Sequence, residues 1–411
     1  MLQKSIKEIG IMAYHKKTTV GYGSRVGNSF RGILGGFIIF IAGTALLWWN
    51  EGRVVKTDKM LNEAQGVTVE LENIDQINPE MNGKLVHATG FANTQDSLID
   101  PTFGVGVTAI RLARDVEYYQ WVEQSHQERK DKLGGKQEVT TTYTYKKKWN
   151  SSPVESADFH DPSYQKSNYV LTSADSERWF AQKVTFGAFQ LNEHQIQSIS
   201  GDEPVALSLD SATLAAWNKE CQQVLSRQNG TPADSLQLVH VQDNQLYYGV
   251  SPSSPAVGDV RITFTKVLPA QITIIAQQAG NTFTRFKAKN GKTFSTLVMG
   301  TKDAAEIYEG AHEENHIIMW ILRLIGVILV IAGLRGIFGI LETLMKVVPF
   351  LANIVGFGVG LICFVVGLVW SLIIIALAWL FYRPLIGIGL LAIAGFLIWF
   401  FAFKGKEKFR V

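Results

Sequence analysis

The sequence predicts a multi-pass α-helical membrane protein with four spans and a large β-rich α+β domain outside the cytoplasm. Long apolar runs that are nearly free of charge lie near both ends of the 411-residue chain. In the polar middle, apolar and polar residues alternate, which is typical of half-buried strands. Residues 51–316 carry 25 Lys+Arg against 33 Asp+Glu, whereas the rest of the chain carries 14 against 3. An acidic middle between basic, apolar ends is the pattern expected of such a protein.

The first apolar run supplies one membrane anchor. Residues 32–49 contain no charge and end in Trp48-Trp49, a pair that suits the membrane interface. A helix of this length spans about 27 Å, close to the thickness of the hydrocarbon core. The run is too long for the apolar part of a signal peptide, and no small-residue cleavage site follows it. We therefore interpret it as a retained anchor.

The later apolar runs predict three more spans. Residues 317–340 form the second, and residues 347–403 contain 57 residues with Arg383 as their one charge. A single helix of 57 residues would be about 85 Å long, so this run must fold back. Phe381-Tyr382-Arg383-Pro384 is the predicted turn because proline interrupts a helix.

The resulting organisation is a basic cytoplasmic tail, a first span, an extracytoplasmic domain, a second span, a cytoplasmic loop with an interfacial segment, two further spans and a second basic tail. In that order these parts cover residues 1–29, 30–49, 50–316, 317–340, 341–353, 354–380, 385–403 and 404–411.

The orientation follows from the positive-inside rule. Four spans leave both termini on one side, and both tails are rich in Lys and Arg. The loop between the second and third spans adds Lys346, with Arg335 close to it. Both termini are therefore predicted to be cytoplasmic. The domain would face the periplasm in a bacterial inner membrane, or the lumen of the endoplasmic reticulum and nuclear envelope in a eukaryote.

The domain is predicted to contain a long β-hairpin, because residues 107–126 and 138–149 both alternate apolar with polar side chains. Residues 83–91 and 260–276 predict further strands, and Ser211 opens a predicted helix over 212–226. Residues 150–178 are rich in Ser, Asp and Asn. They are a candidate linker between two β-rich halves.

Composition excludes several classes of function. Cys221 and Cys363 are the only cysteines, too few for a disulfide framework or a cysteine-based zinc site. The acidic middle argues against nucleic-acid binding. The predicted spans contain no Asp or Glu, which argues against proton-coupled transport.

The pentapeptide from His312 to His316 fits the H-E-x-x-H pattern. On a helix its two histidines share one face, and Glu313 could activate a zinc-bound water. A third ligand is the difficulty, because the next acidic residue downstream, Glu342, would lie across the bilayer. A ligand would have to come from the upstream domain, for example His87, His126 or Glu309. We favour a polar helical cap at the membrane surface. We expect no metal, cofactor or catalytic residue, and keep His312 and His316 as secondary metal candidates.

Two further features of the spans point to helix packing and to charge within the membrane. Gly32, Gly36, Gly356 and Gly360 form two G-x-x-x-G pairs, which allow close helix approach within or between subunits. Arg323 lies about six residues inside the second span. A charge at that depth is either functional or held by snorkelling to the headgroups.

Several stretches of the chain resemble one family, transmembrane protein 43, also called LUMA. In chain order they are Asn50-Glu51-Gly52-Arg53, Gly83-Lys84-Leu85-Val86-His87, Asp100-Pro101 with Gly104-Val105, residues 116–123 (VEYYQWVE), residues 257–262 (VGDVRI) and residues 379–385 (WLFYRPL). The resemblance covers about residues 30–403.

The resemblance implies four spans, one large lumenal domain and no catalytic residues. In animals it implies residence in the endoplasmic reticulum and inner nuclear membrane, self-association, and emerin and lamins as partners. We take this chain to be a prokaryotic member, in which emerin and lamins would have no counterpart. The predicted function is a non-enzymatic membrane scaffold that binds itself, other membrane proteins and the lipid bilayer, but not nucleic acid. The alternatives are a membrane-anchored zinc metalloprotease and an oligomeric channel.

Overall fold

A computed structural model describes residues 13–384. The helices are α1 (Tyr22–Val67), α2 (Glu193–Ser198), α3 (Ser211–Asn229), α4 (Ala304–Met345) and α5 (Pro349–Tyr382), with short 3₁₀ turns at Pro79–Met81 and Pro162–Tyr164. The strands are β1 (Ala13–Val20), β2 (Val69–Glu70), β3 (Leu85–Asn93), β4 (Ser97–Ile99), β5 (Gly106–Thr108), β6 (Arg111–Asp131), β7 (Gln137–Asn150), β8 (Glu177–Phe180), β9 (Thr185–Phe186), β10 (Phe189–Gln190), β11 (Asp202–Pro204), β12 (Val239–Gln242), β13 (Gln245–Tyr248), β14 (Val260–Val267), β15 (Ala270–Ala279), β16 (Thr282–Thr284), β17 (Phe286–Lys287), β18 (Thr293–Phe294) and β19 (Thr296–Met299).

Three helices are long and apolar enough to cross a membrane: α1, α4 and α5. They contain the spans predicted over 30–49, 317–340 and 354–380. The predicted fourth span, 385–403, and the tail 404–411 lie outside the described residues. The structure therefore gives three candidate spans and a large β-rich part.

Two of these helices are longer than the spans within them. Helix α1 continues to Val67, and α4 begins at Ala304. Met60, Leu61 and Ala64 of α1 are buried with Ile307 and Tyr308 of α4 against the smaller sheet. These polar extensions stay helical because each has an apolar face to bury against the β-rich part.

Small residues let α1 and α4 pack backbone to backbone. A Cβ atom added at Gly36 would lie 2.7 Å from the carbonyl oxygen of Gly333, and one at Gly43 would lie 2.9 Å from the amide nitrogen of Val330. A side chain at either position would force the helices apart.

The connection between α4 and α5 is shorter than the loop and interfacial segment predicted over 341–353. Helix α4 runs to Met345, and Pro349 starts α5. Proline suits the first turn of a helix because the amide hydrogen it lacks would have no helical partner there. The predicted interfacial segment is therefore the first turn of α5.

The tail predicted over 1–29 is corrected for the residues that the structure describes. Strand β1 pairs antiparallel with β7, from Ala13 opposite Thr144 to Val20 opposite Gln137, and α1 begins at Tyr22. The lysines of this segment are typical of a topology signal, but Thr18, Thr19 and Val20 are β-forming residues, and their partner strand is remote in sequence.

The β-rich part contains two main sheets, and each has its own core. The larger runs β1-β7-β6-β14-β13-β12, with β11 on β14 and β8 on β6. The smaller runs β10-β9-β3-β15-β16, with β19 on β15 and β2 on β3. The pairs β6–β14 and β3–β15 join strands from both sides of residues 150–178. This segment therefore does not divide the part into two halves, as the candidate boundary had suggested.

The predicted hairpin is present and longer than expected, since β6 extends to Asp131 and β7 runs from Gln137 to Asn150. We call β1, β7 and residues 119–131 of β6 the ribbon. Its tip meets the helix ends that lie away from the β-rich part: the Gly134 amide donates to the Val347 carbonyl (3.1 Å). The Arg25 guanidinium lies 2.8 Å from the Asp131 carboxylate.

Candidate functional site

A buried ion pair lies where the three long helices meet the β-rich part. Arg323 of α4 donates from Nε to Oε1 of Glu51 (2.6 Å) and from Nη2 to Oε2 (2.9 Å). The Arg323 and Glu51 side chains are 9% and 2% exposed. Trp379 Nε1 of α5 also donates to Glu51 Oε2, at 2.8 Å. The carboxylate thus joins all three helices, and the bidentate geometry offsets the cost of removing two charges from water.

Aromatic rings enclose the guanidinium. The Arg323 Cζ atom lies 4.9 Å from the ring centroid of Trp320 and 5.7 Å from that of Trp379. A flat, weakly hydrated guanidinium is well suited to such faces. Of the two interpretations weighed for Arg323, snorkelling and a functional role, the structure shows neither directly. It shows instead a charge neutralised inside the protein.

Glu51 was not predicted as a site residue because it lies just beyond the first apolar run, within the range assigned to the domain. One signal could have found it. Glu51 follows the domain-side end of the first span by two residues, and Arg323 lies a short way inside the same end of the second. Consecutive spans run in opposite directions, so the two residues reach similar depths. An unpaired arginine at that depth predicts a nearby carboxylate.

Two of the family-like stretches meet at this site. The ring of Tyr382 covers Gly52, where an added Cβ atom would lie 2.6 Å from the ring carbon Cζ. The ring of Trp48 packs against Phe381 and Tyr382, with centroids 5.6 and 6.0 Å apart. The Asn50–Arg53 stretch and residues 379–382, remote in sequence, therefore form one joint.

Asp58 is the centre of a second polar cluster, about two turns further along α1. Its Oδ1 accepts from Asn315 Nδ2 at 2.8 Å and lies 3.5 Å from Nδ1 of His312 and 4.0 Å from Nε2 of His316. Its Oδ2 lies 3.4 Å from Nη2 of Arg383. The carboxylate oxygens are thus engaged by an amide and a guanidinium.

The H-E-x-x-H histidines do share one face of α4, as their spacing required, and Asp58 is their neighbour. Between residues 13 and 384, however, no group of three or more His, Cys, Asp or Glu side chains is arranged to hold a metal ion. His316 is more than half exposed. The cluster links α1 to α4 and to the end of α5.

The remaining candidates from the sequence lie at helix contacts. Gly32 faces the carbonyl of Gly336, Gly356 meets the side chain of Glu342, and Gly360 lies near the guanidinium of Arg335. Like Gly36, these glycines face other elements of the same chain.

A second buried ion pair, also missed from the sequence, fixes the β-rich part. Arg114 Nη1 donates to both carboxylate oxygens of Asp100, at 2.8 and 2.7 Å, and the two side chains are almost fully buried. Asp100 also accepts from the amides of Thr102 and Phe103. The carboxylate therefore holds a loop against the sheet.

Asp259 plays a similar part in the family-like 257–262 stretch. Its Oδ2 accepts from the hydroxyl of Tyr247 (2.5 Å) and the amide of Ala256 (2.8 Å). Burial raises the pKa of Asp259 above its ordinary value despite these hydrogen bonds. Burial likewise raises the pKa of the Cys221 thiol to about 12, so it is not a reactive nucleophile at neutral pH.

Comparisons with known proteins give one consistent result. The family described as Transmembrane protein 43 matches residues 118–384. Transmembrane protein 43 of Rattus norvegicus is 30% identical over 381 residues, covering 89% of this chain and 88% of that protein. The Homo sapiens protein is 29% identical with the same coverage. The Drosophila melanogaster homolog is 24% identical over 89% of this chain and 93% of its own length. No solved structure matches the chain.

Proposed function

This chain belongs to the transmembrane protein 43 family, and from that premise we propose that it is a non-enzymatic membrane scaffold that self-associates and organises protein complexes. The family resemblance read from the sequence is thereby confirmed. The chain is an integral membrane protein with a large β-rich part.

The observation that carries the proposal is the continuity of α1 and α4. Both helices run from the apolar bundle into the β-rich part, where Leu61 and Tyr308 pack with Leu85 and Ile275 of the smaller sheet. The Glu51–Arg323 pair fixes both helices to α5 at the boundary. A body held in this way has a set height and orientation at the membrane, which is what a docking platform needs.

Self-association is supported by the ribbon. We place the β-rich part outside the cytoplasm, and the start of α1 and the α4–α5 connection inside, because Arg25, Arg31 and Lys346 lie at that end of the helices. The ribbon then passes the membrane beside the helices, since its tip meets the opposite helix ends. Residues 124–130 are polar and exposed along it. Hydrocarbon does not tolerate polar strands with open edges, so a second copy is the cover we propose.

Two glycines at close contacts between described helices are not free for that interface. Gly36 and Gly43 are occupied by α4 within the subunit. The proposed contact between copies is therefore through the ribbon. We propose that the protein resides in the inner membrane if the chain is bacterial. If it is eukaryotic, it resides in the endoplasmic reticulum and the inner nuclear membrane.

Size measurement and site-directed crosslinking of the full chain in lipid nanodiscs test this proposal. We expect a defined oligomer, and disulfide-linked dimers when His126, on the exposed part of β6, is replaced by cysteine. Lys219→Cys, on the exposed face of α3, is the matched control and should not crosslink. A monomer with no crosslink at residue 126 would overturn self-association. Zinc at one ion per chain would favour the protease alternative, and conductance in planar bilayers the channel.

A further inference from the structure

A polar cavity of about 430 Å³ lies at the joint between the ribbon and the helix ends. Five elements line it: β1, α1, β6, β7 and α4. The lining side chains that matter for binding are Arg25, Ser29, Arg129, Gln137, Thr343 and Lys346. No single segment of the sequence contains this set, so folding alone brings it together.

The charge of the lining favours an anion. Three cations face the cavity, and none of the described residues that line it is acidic. Arg25 is only 7% exposed and is fixed by Asp131 and by donation from Nη1 to the Gly135 carbonyl at 2.9 Å. Lys346 pairs with Glu342 at 3.1 Å. Among the described residues, the side-chain partner of Arg129 is the amide of Gln127, so its charge is not neutralised there.

Neutral hydrogen-bonding groups complete the lining. Ser29 Oγ lies 2.8 Å from Thr343 Oγ1, which ties α1 to α4 at the cavity wall. Asn28, Gln127 and Gln137 add amide groups. Guanidinium groups together with amide and hydroxyl donors suit a tetrahedral oxyanion, because a phosphate presents several acceptor oxygens at once.

The depth of the cavity points to the source of the anion. Ser29 lies one turn before Gly32, where the first apolar run begins, and Thr343 lies about one turn after the second run ends at Ile340. The cavity is therefore at the boundary between hydrocarbon and water, the level of lipid phosphates. Basic pockets between helices at this level bind anionic headgroups.

We propose that this cavity binds the phosphate group of an anionic phospholipid and so fastens the ribbon to the membrane helices. The lipid phosphate contacts Arg129 and Lys346, while Arg25 holds the wall through Asp131. All lining residues of the cavity belong to one chain, and two of them, Gln127 and Arg129, also lie in the exposed stretch 124–130 that we propose meets a second copy.

Native mass spectrometry of the full chain tests the proposal. The protein is released from micelles containing equal amounts of phosphatidylglycerol and phosphatidylcholine, and the bound lipids are counted. We expect one retained phosphatidylglycerol per chain. The variant Arg129→Gln/Lys346→Gln should reduce its retention by about thirtyfold, since it removes two basic groups and each contributes about 1 kcal/mol near anionic lipid. The double variant Lys183→Gln/Lys219→Gln, at two exposed lysines that do not line the cavity, is the matched control and should retain the lipid.

Inorganic phosphate distinguishes the two sources of the same chemistry. If millimolar phosphate displaces phosphatidylglycerol only from chains that keep Arg129 and Lys346, the site recognises the phosphate group itself. If phosphate has no effect but the double variant loses the lipid, the acyl chains contribute to binding. Equal retention of the two lipids by the unmodified protein, or full retention by the double variant, would overturn the proposal. The oligomeric state of each variant shows whether self-association changes separately.

Discussion

The two ends of the helix bundle are both fastened by an arginine and a carboxylate, but the two pairs differ in how completely they are closed. Glu51 accepts from Arg323 and Trp379 and is 2% exposed. At the opposite end Asp131, the partner of Arg25, is 21% exposed, and Arg25 itself lines a polar cavity. In the Glu51–Arg323 pair, both charges are neutralised inside the protein. At the opposite end, cationic side chains face the polar cavity, which is why we propose anion binding there.

The largest effect on stability is expected from breaking the buried Glu51–Arg323 pair. Arg323→Met leaves Glu51 buried without its cation and should lower the free energy of unfolding by about 3–5 kcal/mol. Thermal unfolding in detergent measures this. The double variant Arg323→Met/Glu51→Leu should recover much of the loss, because an apolar pair needs no compensation. A single variant as stable as the unmodified protein would show that the pair is not buried as described.

Close helix packing between the two ends gives the next effect. Gly36→Leu should lower the free energy of unfolding by about 1–3 kcal/mol or more, because a side chain there meets the backbone of α4. Gly35→Leu is the matched control, since an added Cβ atom there meets nothing within 4 Å. Equal stability losses in the two variants, measured by thermal unfolding, would contradict the α1–α4 contact.

Breaking the Arg25–Asp131 pair should lower the free energy of unfolding less than breaking the Glu51–Arg323 pair. Asp131→Asn removes the carboxylate that holds Arg25 but leaves a polar group in a part-exposed place, so we expect a loss of about 1 kcal/mol. Hydrogen exchange should then speed up in β1 and at the tip of the ribbon while β14 and β15 stay protected. Unchanged hydrogen exchange at the tip would show that the Arg25–Asp131 pair does not hold the ribbon in position.

The smallest effect is a pH dependence at the base of the ribbon. Burial raises the pKa of Glu123, but hydrogen bonds from Tyr145 and from the amide and ring of His160 outweigh it and hold the pKa below the ordinary 4.5. The unfolded chain therefore binds the proton first, so this contribution is present above about pH 4.5 and is lost as the pH falls through the folded value. Glu123→Gln should be less sensitive to acid over that window in pH-dependent unfolding. A parallel acid response in both proteins would contradict this role.

The sequence predicted α1, α4 and α5 because a long apolar run indicates a membrane-spanning helix whatever the rest of the chain does. It also predicted the β6–β7 hairpin and α3, for which the alternation and the capping residues are local. It could not predict that α1 would reach Val67, since the partner sheet for that face is formed by β3 and β15. The pairing of β6 with β14 was hidden for the same reason.

For the candidate site too, the sequence predicted residues with a local signal and not residues whose role depends on a remote partner. Arg323 was found because a charge in an apolar run is conspicuous, whereas Glu51 was missed because the significance of a carboxylate outside the run depends on a partner in another helix. His312 and His316 matched a catalytic pattern, yet their neighbour Asp58 comes from α1 and is engaged by Asn315 and Arg383. Motif spacing predicted the face of the helix but not its surroundings.

Strand β1 has a consequence for how the protein is made. It is translated first, but it lies against β7, which leaves the ribosome only after the first span has been inserted into the membrane. The N-terminal segment must therefore remain unpaired through that insertion, until β7 has been made. An expression tag fused close to Ala13 would interfere with this late pairing.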